Sequence, residues 1–371
     1  MSRSPANRFA ALDALRGIAA LLVVWQHTSE YFINQPGMPP DGSGMLELFK
    51  AIDPGRIGVI CFFLISGFII PSSLRSNGNA PLTEFSIKRF FRLYPAYWLS
   101  VGLAVLVDTT LLGKQYGTTQ IGANLTMFQN LLGFSHVQGL YWTLQVELIF
   151  YVLCAALFSI NLLSQQKSIF YTLVISLGIF SVTNLLAAKL HLATNANKEI
   201  LYTPYLLGVM LCGTLFRNWI DSKNKGDKSL MIGGFFLVFS VPFANMALSL
   251  IGINLIADPT RFLISHLIGL CLFISGMYFW RAPPAVFLRL GVISYSVYLF
   301  HPVVMHLMGG LTQKGWIFHV LPQNVWLQVV AATLLVWLAA EATYRLIEEP
   351  FNNMAKRLCV SIRTRTVTPP K

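Results

Sequence analysis

Two ionisable residues, Arg16 and His27, stand in the first apolar segment of the chain. Each costs several kcal/mol in hydrocarbon unless it is paired or hydrated, so such residues point to function. On a helix, eleven residues make three turns plus about 20°, which puts both side chains on one face, about 16.5 Å apart. A snorkelling arginine and a histidine bonded between helices would explain each residue singly. The shared face, with Asp13 beside Arg16, favours a site, although Asp13 also fits a helix N-cap.

A second basic group, Arg89 and Arg92, opens the third apolar segment. The i,i+3 spacing places both side chains on one face at the predicted cytoplasmic end of that helix. Simple anchoring by the positive-inside rule would explain such a pair. The alternative is a phosphate clamp, because guanidinium forks match phosphate oxygens bidentately. Arg16 lies at the same predicted depth, and three arginines there would suit a polyphosphate ligand.

The fourth apolar segment carries Glu147, and the ninth carries His301. The fourth segment descends from outside, so Glu147 is predicted at a depth near His27, where a carboxylate would fix the tautomer of the ring and raise its basicity. A glutamate paired with a hydroxyl or backbone donor would also account for it. His301 lies near mid-membrane and fits a proton relay, a substrate contact or a packing histidine equally well.

The elements that hold these residues follow from composition. Of the 371 residues, 55% are hydrophobic and only 11% are charged. Soluble proteins carry roughly 25% charged residues, and apolar runs of about twenty residues span a bilayer as helices. The sequence thus predicts an all-α, polytopic transmembrane bundle and excludes a soluble enzyme, a disordered chain and a nucleic-acid-binding module. Ten spans are predicted, at 12–32, 56–74, 90–112, 141–160, 168–188, 200–217, 229–251, 261–280, 288–308 and 325–347.

The charges between the spans predict the orientation. With the N-terminus inside, 19 of the 27 Lys and Arg residues fall in cytoplasmic segments and seven in outer ones. This split predicts that both termini are cytoplasmic. Residues 1–350 are expected to form one membrane-embedded domain, followed by a basic, frayed tail at 351–371. The outer loops at 34–55 and 113–139 are rich in Gly, Pro and amide or hydroxyl residues. Glu341 and Arg345 are i,i+4 in the last span, which predicts an internal ion pair.

Several known motifs are missing from the sequence. It contains no G-x-S-x-G elbow, H-E-x-x-H motif, P-loop, G-x-G-x-x-G motif or cluster of metal-ligand residues. We therefore expect no metal site, no bound cofactor and no nucleic-acid partner.

Taken in order, these segments resemble the acyltransferase-3 family of integral membrane O-acyltransferases, which modify surface glycans of bacteria. The resemblance extends from residue 12 to residue 350, and Ala14 stands where the family commonly has glycine. Each motif alone is weak evidence for the resemblance, whereas the whole set in this order is specific to the family. The pieces are Leu12-Asp-Ala-Leu-Arg-Gly17, Arg16-x10-His27, Gly58 to Phe68, Arg89-x-x-Arg92 with Tyr94-Pro95-Ala-Tyr97, Trp142-x-Leu144-x-x-Glu147, Ser294-Tyr295-Ser-x-Tyr298-x-x-His301-Pro302 and Glu348-Glu349-Pro350.

The resemblance implies transfer of an acyl group, usually acetyl, from cytoplasmic acyl-CoA to a hydroxyl of a glycan or lipid-linked saccharide. Arg16, Arg89 and Arg92 would hold the donor's phosphates. His27 would act as general base or transient acyl carrier, oriented by Glu147. Trp142, Tyr298 and His301 are weaker candidates for substrate contacts. The expected location is the bacterial inner membrane, in contact with its lipid.

Two other functions fit parts of the same pattern. Charges inside a membrane also mark the ion paths of secondary transporters. However, the two halves of the chain lack the paired broken helices that point to transport sites. A non-catalytic subunit of a polysaccharide export system is the third possibility.

Overall fold

In a computed structural model, the structure describes residues 5–35, 43–75, 80–190, 198–252, 256–280, 282–315 and 324–367. All regular secondary structure in these ranges is helical, which confirms the predicted all-α polytopic bundle. The helices are α1 (Pro5–Ile33), α2 (Ser43–Ile52), α3 (Pro54–Arg75), α4 (Pro81–Leu111), α5 (Thr118–Leu125), α6 (Tyr141–Ser159), α7 (Gln166–Lys189), α8 (Lys198–Ser222), α9 (Lys225–Leu250), α10 (Pro259–Phe279), α11 (Ala285–Val292), α12 (Ser294–Gln313), α13 (Val325–Thr343) and α14 (Glu349–Val367), with a π-helical turn at Tyr344–Glu348.

Helix α1 is the central element of the bundle. It packs against α3, α10, α11, α12 and α13. Small residues allow these close approaches: a Cβ at Gly291 would overlap the backbone of Asp13, and one at Gly58 would overlap the carbonyl of Ala19. Among the polar side chains of α1, these neighbours bury Gln26, Thr28 and Ser29.

In the described part of the chain, eight helices are long and apolar enough to cross a membrane, or up to nine if a bent pair counts as one span. Helix α1, which carries Asp13, Arg16 and His27, is outside that set. The predicted number of ten spans and the cytoplasmic position of the termini therefore stay predictions.

The predicted span at 288–308 is not one straight helix. Helices α11 and α12 meet at a bend of 75°. The short helix α11 packs tightly on α1, where Gly17 and Gly291 let the two backbones touch. Tertiary packing against α1 thus accompanies a break that apolar periodicity alone does not predict.

The sequence assigned two segments to loop or tail that are helical in the structure. Part of the outer loop at 34–55 forms α2. The expected frayed tail continues as α14 to Val367 and packs along α4. Arg363 Nε donates to Glu84 Oε1 over 2.7 Å, and the Glu84 carboxylate is fully buried. A buried carboxylate needs such a cation, which gives α14 a reason to stay docked.

The predicted ion pair between Glu341 and Arg345 is confirmed. Arg345 Nε donates to Glu341 Oε1 over 2.6 Å. Arg289 also donates to this carboxylate, through Nε over 2.9 Å, so the cluster ties α11 to α13. The pair is not internal as expected, because the Arg345 side chain is 69% exposed.

The predicted orientation has a direct test. In a Cys271→Ser background, which removes the exposed native cysteine, we expect Gln115→Cys and Thr119→Cys to react with an impermeant maleimide added to intact cells. Lys225→Cys, also exposed, is expected to react only after permeabilisation. The measurement is mass-tag labelling before and after lysis. The reverse labelling pattern would overturn the orientation and every depth argument above.

Candidate active site

The central cavity lies between α1, α3, α4, α6 and α12. Arg16, Arg89, Arg92, Glu147 and Tyr298 all line it. It encloses about 770 Å³ of empty space, its open mouth included. Five residues that the sequence singled out from four separate segments are therefore neighbours in the folded chain.

The three arginines differ in how firmly they are held. Arg89 Nη2 donates to Ser73 Oγ over 2.8 Å, and its guanidinium lies 5.2 Å from the Phe85 ring centre and 5.1 Å from that of Tyr151. Within the described ranges, Arg16 and Arg92 form no side-chain hydrogen bond or ion pair. Three positive charges line one cavity, and two of them have no fixed partner among the described residues, which makes this cavity suited to an anionic ligand.

The predicted contact between Glu147 and His27 is wrong. Glu147 Oε1 accepts a hydrogen bond from Tyr151 Oη at 2.6 Å and lines the cavity together with the arginines. Helix α6, which carries Glu147, packs against α3 and α8. An anionic side chain is better stabilised there, by cations and a phenol, than beside a neutral imidazole.

The ring of His27 pairs instead with His301 of α12. His27 Nδ1 lies 2.9 Å from His301 Nε2, and His301 Nδ1 donates to the Tyr298 carbonyl over 2.7 Å. His301 is fully buried, whereas His27 is partly exposed. The remaining ring nitrogen of His27, Nε2, has no hydrogen-bond partner among the described residues.

Tyr298 connects the histidine pair to the cavity. Its side chain lines the cavity, and its ring centre lies 5.9 Å from that of His301. Its hydroxyl is 2.6 Å from Thr143 Oγ1 of α6. Trp142, the third weak candidate, packs against Tyr202 and is not among the residues that line this cavity.

Sequence reasoning did not assign a role to Glu348, which belongs to the same region. It ends the π-helical turn, is 1% exposed and accepts a hydrogen bond from Ser296. Its second oxygen has no hydrogen-bond partner within the described ranges. The available signal was the Glu-Glu-Pro sequence at 348–350, together with the rule that π-helical turns are frequent at functional sites.

A second missed group lies at the outer end of α1. Glu30 accepts from Gln26 and, at 3.5 Å, from Arg261. Arg261 Nε also lies 3.2 Å from Asp53 Oδ2. These charges lie at or beside the outer ends of three different predicted spans, so only the folded chain could bring them together.

Comparison with known proteins agrees with this arrangement. A family model described as an acyltransferase domain matches residues 9–344. Nodulation protein 10 of Rhizobium leguminosarum bv. viciae is 27% identical, over 94% of this chain and 96% of its own length. Proteins of Staphylococcus aureus named "putative O-acetyltransferase" are also 27% identical over 92% of this chain, which spans about half their length (56%).

Protein 2 in picA locus of Rhizobium radiobacter is 35% identical over 28% of this chain and 47% of its own length. No solved structure shows a significant match. The family match extends over most of the chain and includes Arg16, His27, Arg89, Arg92, Glu147 and His301. The chain therefore belongs to the acyltransferase-3 family and is a multi-pass membrane O-acyltransferase.

Proposed function

We propose that this acyltransferase takes an acyl group, most simply acetyl, from cytoplasmic acyl-CoA and transfers it to a hydroxyl of a cell-surface or exported glycan. The observation that carries the proposal is the single cavity that gathers Arg16, Arg89 and Arg92 and shares Tyr298 with the histidine pair. The names of the staphylococcal relatives support acetyl as the group transferred. We place the protein in a bacterial inner membrane, with lipid and a lipid-linked or exported saccharide as its partners.

Binding of the acyl-CoA donor is proposed because of the positive charges in the cavity. Coenzyme A carries several phosphate groups, and guanidinium groups bind phosphate oxygens through paired hydrogen bonds. Arg16 and Arg92 are available for such bonds, and Arg89 is already oriented by Ser73. Glu147 borders these arginines in the cavity, so we assign it to orienting the arginine site rather than His27.

Activation of the acceptor hydroxyl is assigned to His27. The chemistry needs a base that removes the proton of the acceptor hydroxyl as its oxygen attacks the thioester carbon. The C–S bond then breaks, and the protonated imidazole returns its proton to the leaving thiolate, which gives an ester and free coenzyme A. If His27 carries the acyl group transiently, its Nε2 attacks the thioester carbon, the C–S bond breaks and the thiolate of coenzyme A leaves. The acceptor oxygen then displaces the imidazole from the acyl carbon, and the proton of the hydroxyl neutralises the thiolate.

Thioester consumption by purified protein tests this function. In liposomes supplied with acetyl-CoA and a lipid-linked saccharide extract, we expect thiol release that depends on both the protein and the extract. A Kd measurement for acetyl-CoA on the same preparation checks the donor site separately. Intact acetyl-CoA accumulating inside the vesicles, with no free thiol, would instead indicate a transporter.

A further inference from the structure

The hydrogen bonds around His301 define where the protons of the histidine pair lie. A backbone carbonyl can only accept, so the 2.7 Å contact with Tyr298 requires that His301 Nδ1 carries a hydrogen. His301 is fully buried, and burial of a charge without an anionic partner is costly, which leaves the neutral ring with a bare Nε2. His301 Nε2 is therefore an acceptor.

The proton position in His301 also determines the proton position in His27. Its Nδ1 lies 2.9 Å from the bare Nε2 of His301, so Nδ1 must be the donor in this bond. In a neutral ring, one nitrogen donates and the other accepts. The lone pair of His27 is thereby placed on Nε2, the nitrogen without a hydrogen-bond partner in the described part of the chain.

We propose that His301 is a positioning residue: it fixes the Nδ1–H tautomer of His27 and so presents Nε2 as the reacting nitrogen. The tautomer itself follows from the hydrogen-bond geometry, and its role in catalysis rests on the proposed acyl transfer. His301 takes the place that an acidic residue holds in a Ser-His-Asp triad, orienting the imidazole from the nitrogen opposite to the one that reacts. It replaces the substrate contact predicted for His301 from the sequence.

The arrangement has a defined consequence for the reaction. When Nε2 of His27 takes the proton of the acceptor hydroxyl, the ring becomes an imidazolium with hydrogens on both nitrogens. The Nδ1 hydrogen stays bonded to the bare nitrogen of His301, which helps to hold the charge. His301 keeps its own Nδ1 hydrogen on the Tyr298 carbonyl, so it does not change protonation. His27 then returns the Nε2 proton to the thiolate of coenzyme A.

The tautomer can be read without substrate. In protein labelled with ¹⁵N-histidine and assigned with a His27→Gln variant, we expect His27 to show a protonated Nδ1 and an unprotonated Nε2. His301→Gln should keep this pattern, because its amide oxygen can accept from Nδ1. His301→Leu removes the acceptor and should release the ring to the other tautomer. An unchanged Nδ1–H tautomer in His301→Leu, or an Nε2–H tautomer in the native protein, would overturn the proposal.

Turnover supplies the second readout. We expect His301→Leu to lower kcat by roughly 10²-fold, within the contribution of a general base, with the KM for acetyl-CoA unchanged and with substantial rescue in His301→Gln. His266 is the matched control: it is fully buried, its Nδ1 bonds the Phe262 carbonyl at 2.6 Å, and it lies in α10. Equal kcat losses in His266→Leu and His301→Leu would mean that His301 is only structural.

The tautomer measurement tests the positioning by His301, and the turnover measurement tests the acyl transfer on which it depends. The expected tautomer, found in a protein that shows no thioester turnover with any acceptor extract, would support the positioning by His301 and contradict acyl transfer. Normal turnover with the opposite tautomer would support acyl transfer and overturn the positioning by His301.

Discussion

Replacement of His27 by alanine is expected to reduce turnover about 10²–10⁴-fold, the usual contribution of a general base, while acetyl-CoA still binds. The reason is that donor binding and proton transfer depend on different side chains. The arginines that would hold the donor line the cavity, whereas the His27 ring is bonded to His301. The measurement is thiol release from acetyl-CoA, together with the Kd for acetyl-CoA on the same detergent-solubilised protein.

Glu147→Gln is the companion variant for this prediction. Glutamine keeps the shape of the side chain and can still accept from Tyr151, and Glu147 does not contact His27. Its loss of turnover should therefore be clearly milder than that of His27→Ala. A His27→Ala protein that is well folded and fully active would end the mechanism proposed here.

Removal of the arginines is expected to have the second large effect, on donor binding. Hydrogen bonds to charged groups contribute about 1.5–3 kcal/mol, so each Arg→Ala change at Arg16, Arg89 or Arg92 should weaken acetyl-CoA binding roughly 10- to 100-fold. Arg→Lys should rescue only partly, because lysine keeps the charge and loses the bidentate fork. Isothermal titration with acetyl-CoA, and with dephosphorylated pantetheine as a phosphate-free comparison, measures this directly.

A fourth arginine provides the control for general loss of positive charge. Arg217 pairs with Asp221 over 2.8 Å and stacks on Phe68, and it is not among the residues that line the cavity. Arg217→Ala should leave acetyl-CoA affinity unchanged, and pantetheine binding should be insensitive to all four changes. Unchanged affinity in a correctly inserted Arg16/Arg89/Arg92 triple variant would rule out the phosphate clamp.

Features that depend on local geometry can be read from the amino-acid sequence alone. Apolar runs of about twenty residues predict membrane helices whatever their neighbours are. The i,i+3 spacing of Arg89 and Arg92 and the eleven-residue spacing of Arg16 and His27 follow from the helical repeat alone. The sequence also predicted that the three arginines lie at one depth, and in the structure all three line one cavity.

The hydrogen-bond partners of the polar side chains, in contrast, depend on how the helices pack in the folded chain. From its estimated depth in the membrane, Glu147 was predicted to be the partner of His27. In the folded chain the partner of His27 is His301. Depth along a helix can be counted, but the rotation of one helix against the next depends on side-chain packing between segments far apart in the chain. His27 and His301 are 274 residues apart, and close packing of α1 on α12, like the bend between α11 and α12, is set by contacts that no local pattern records.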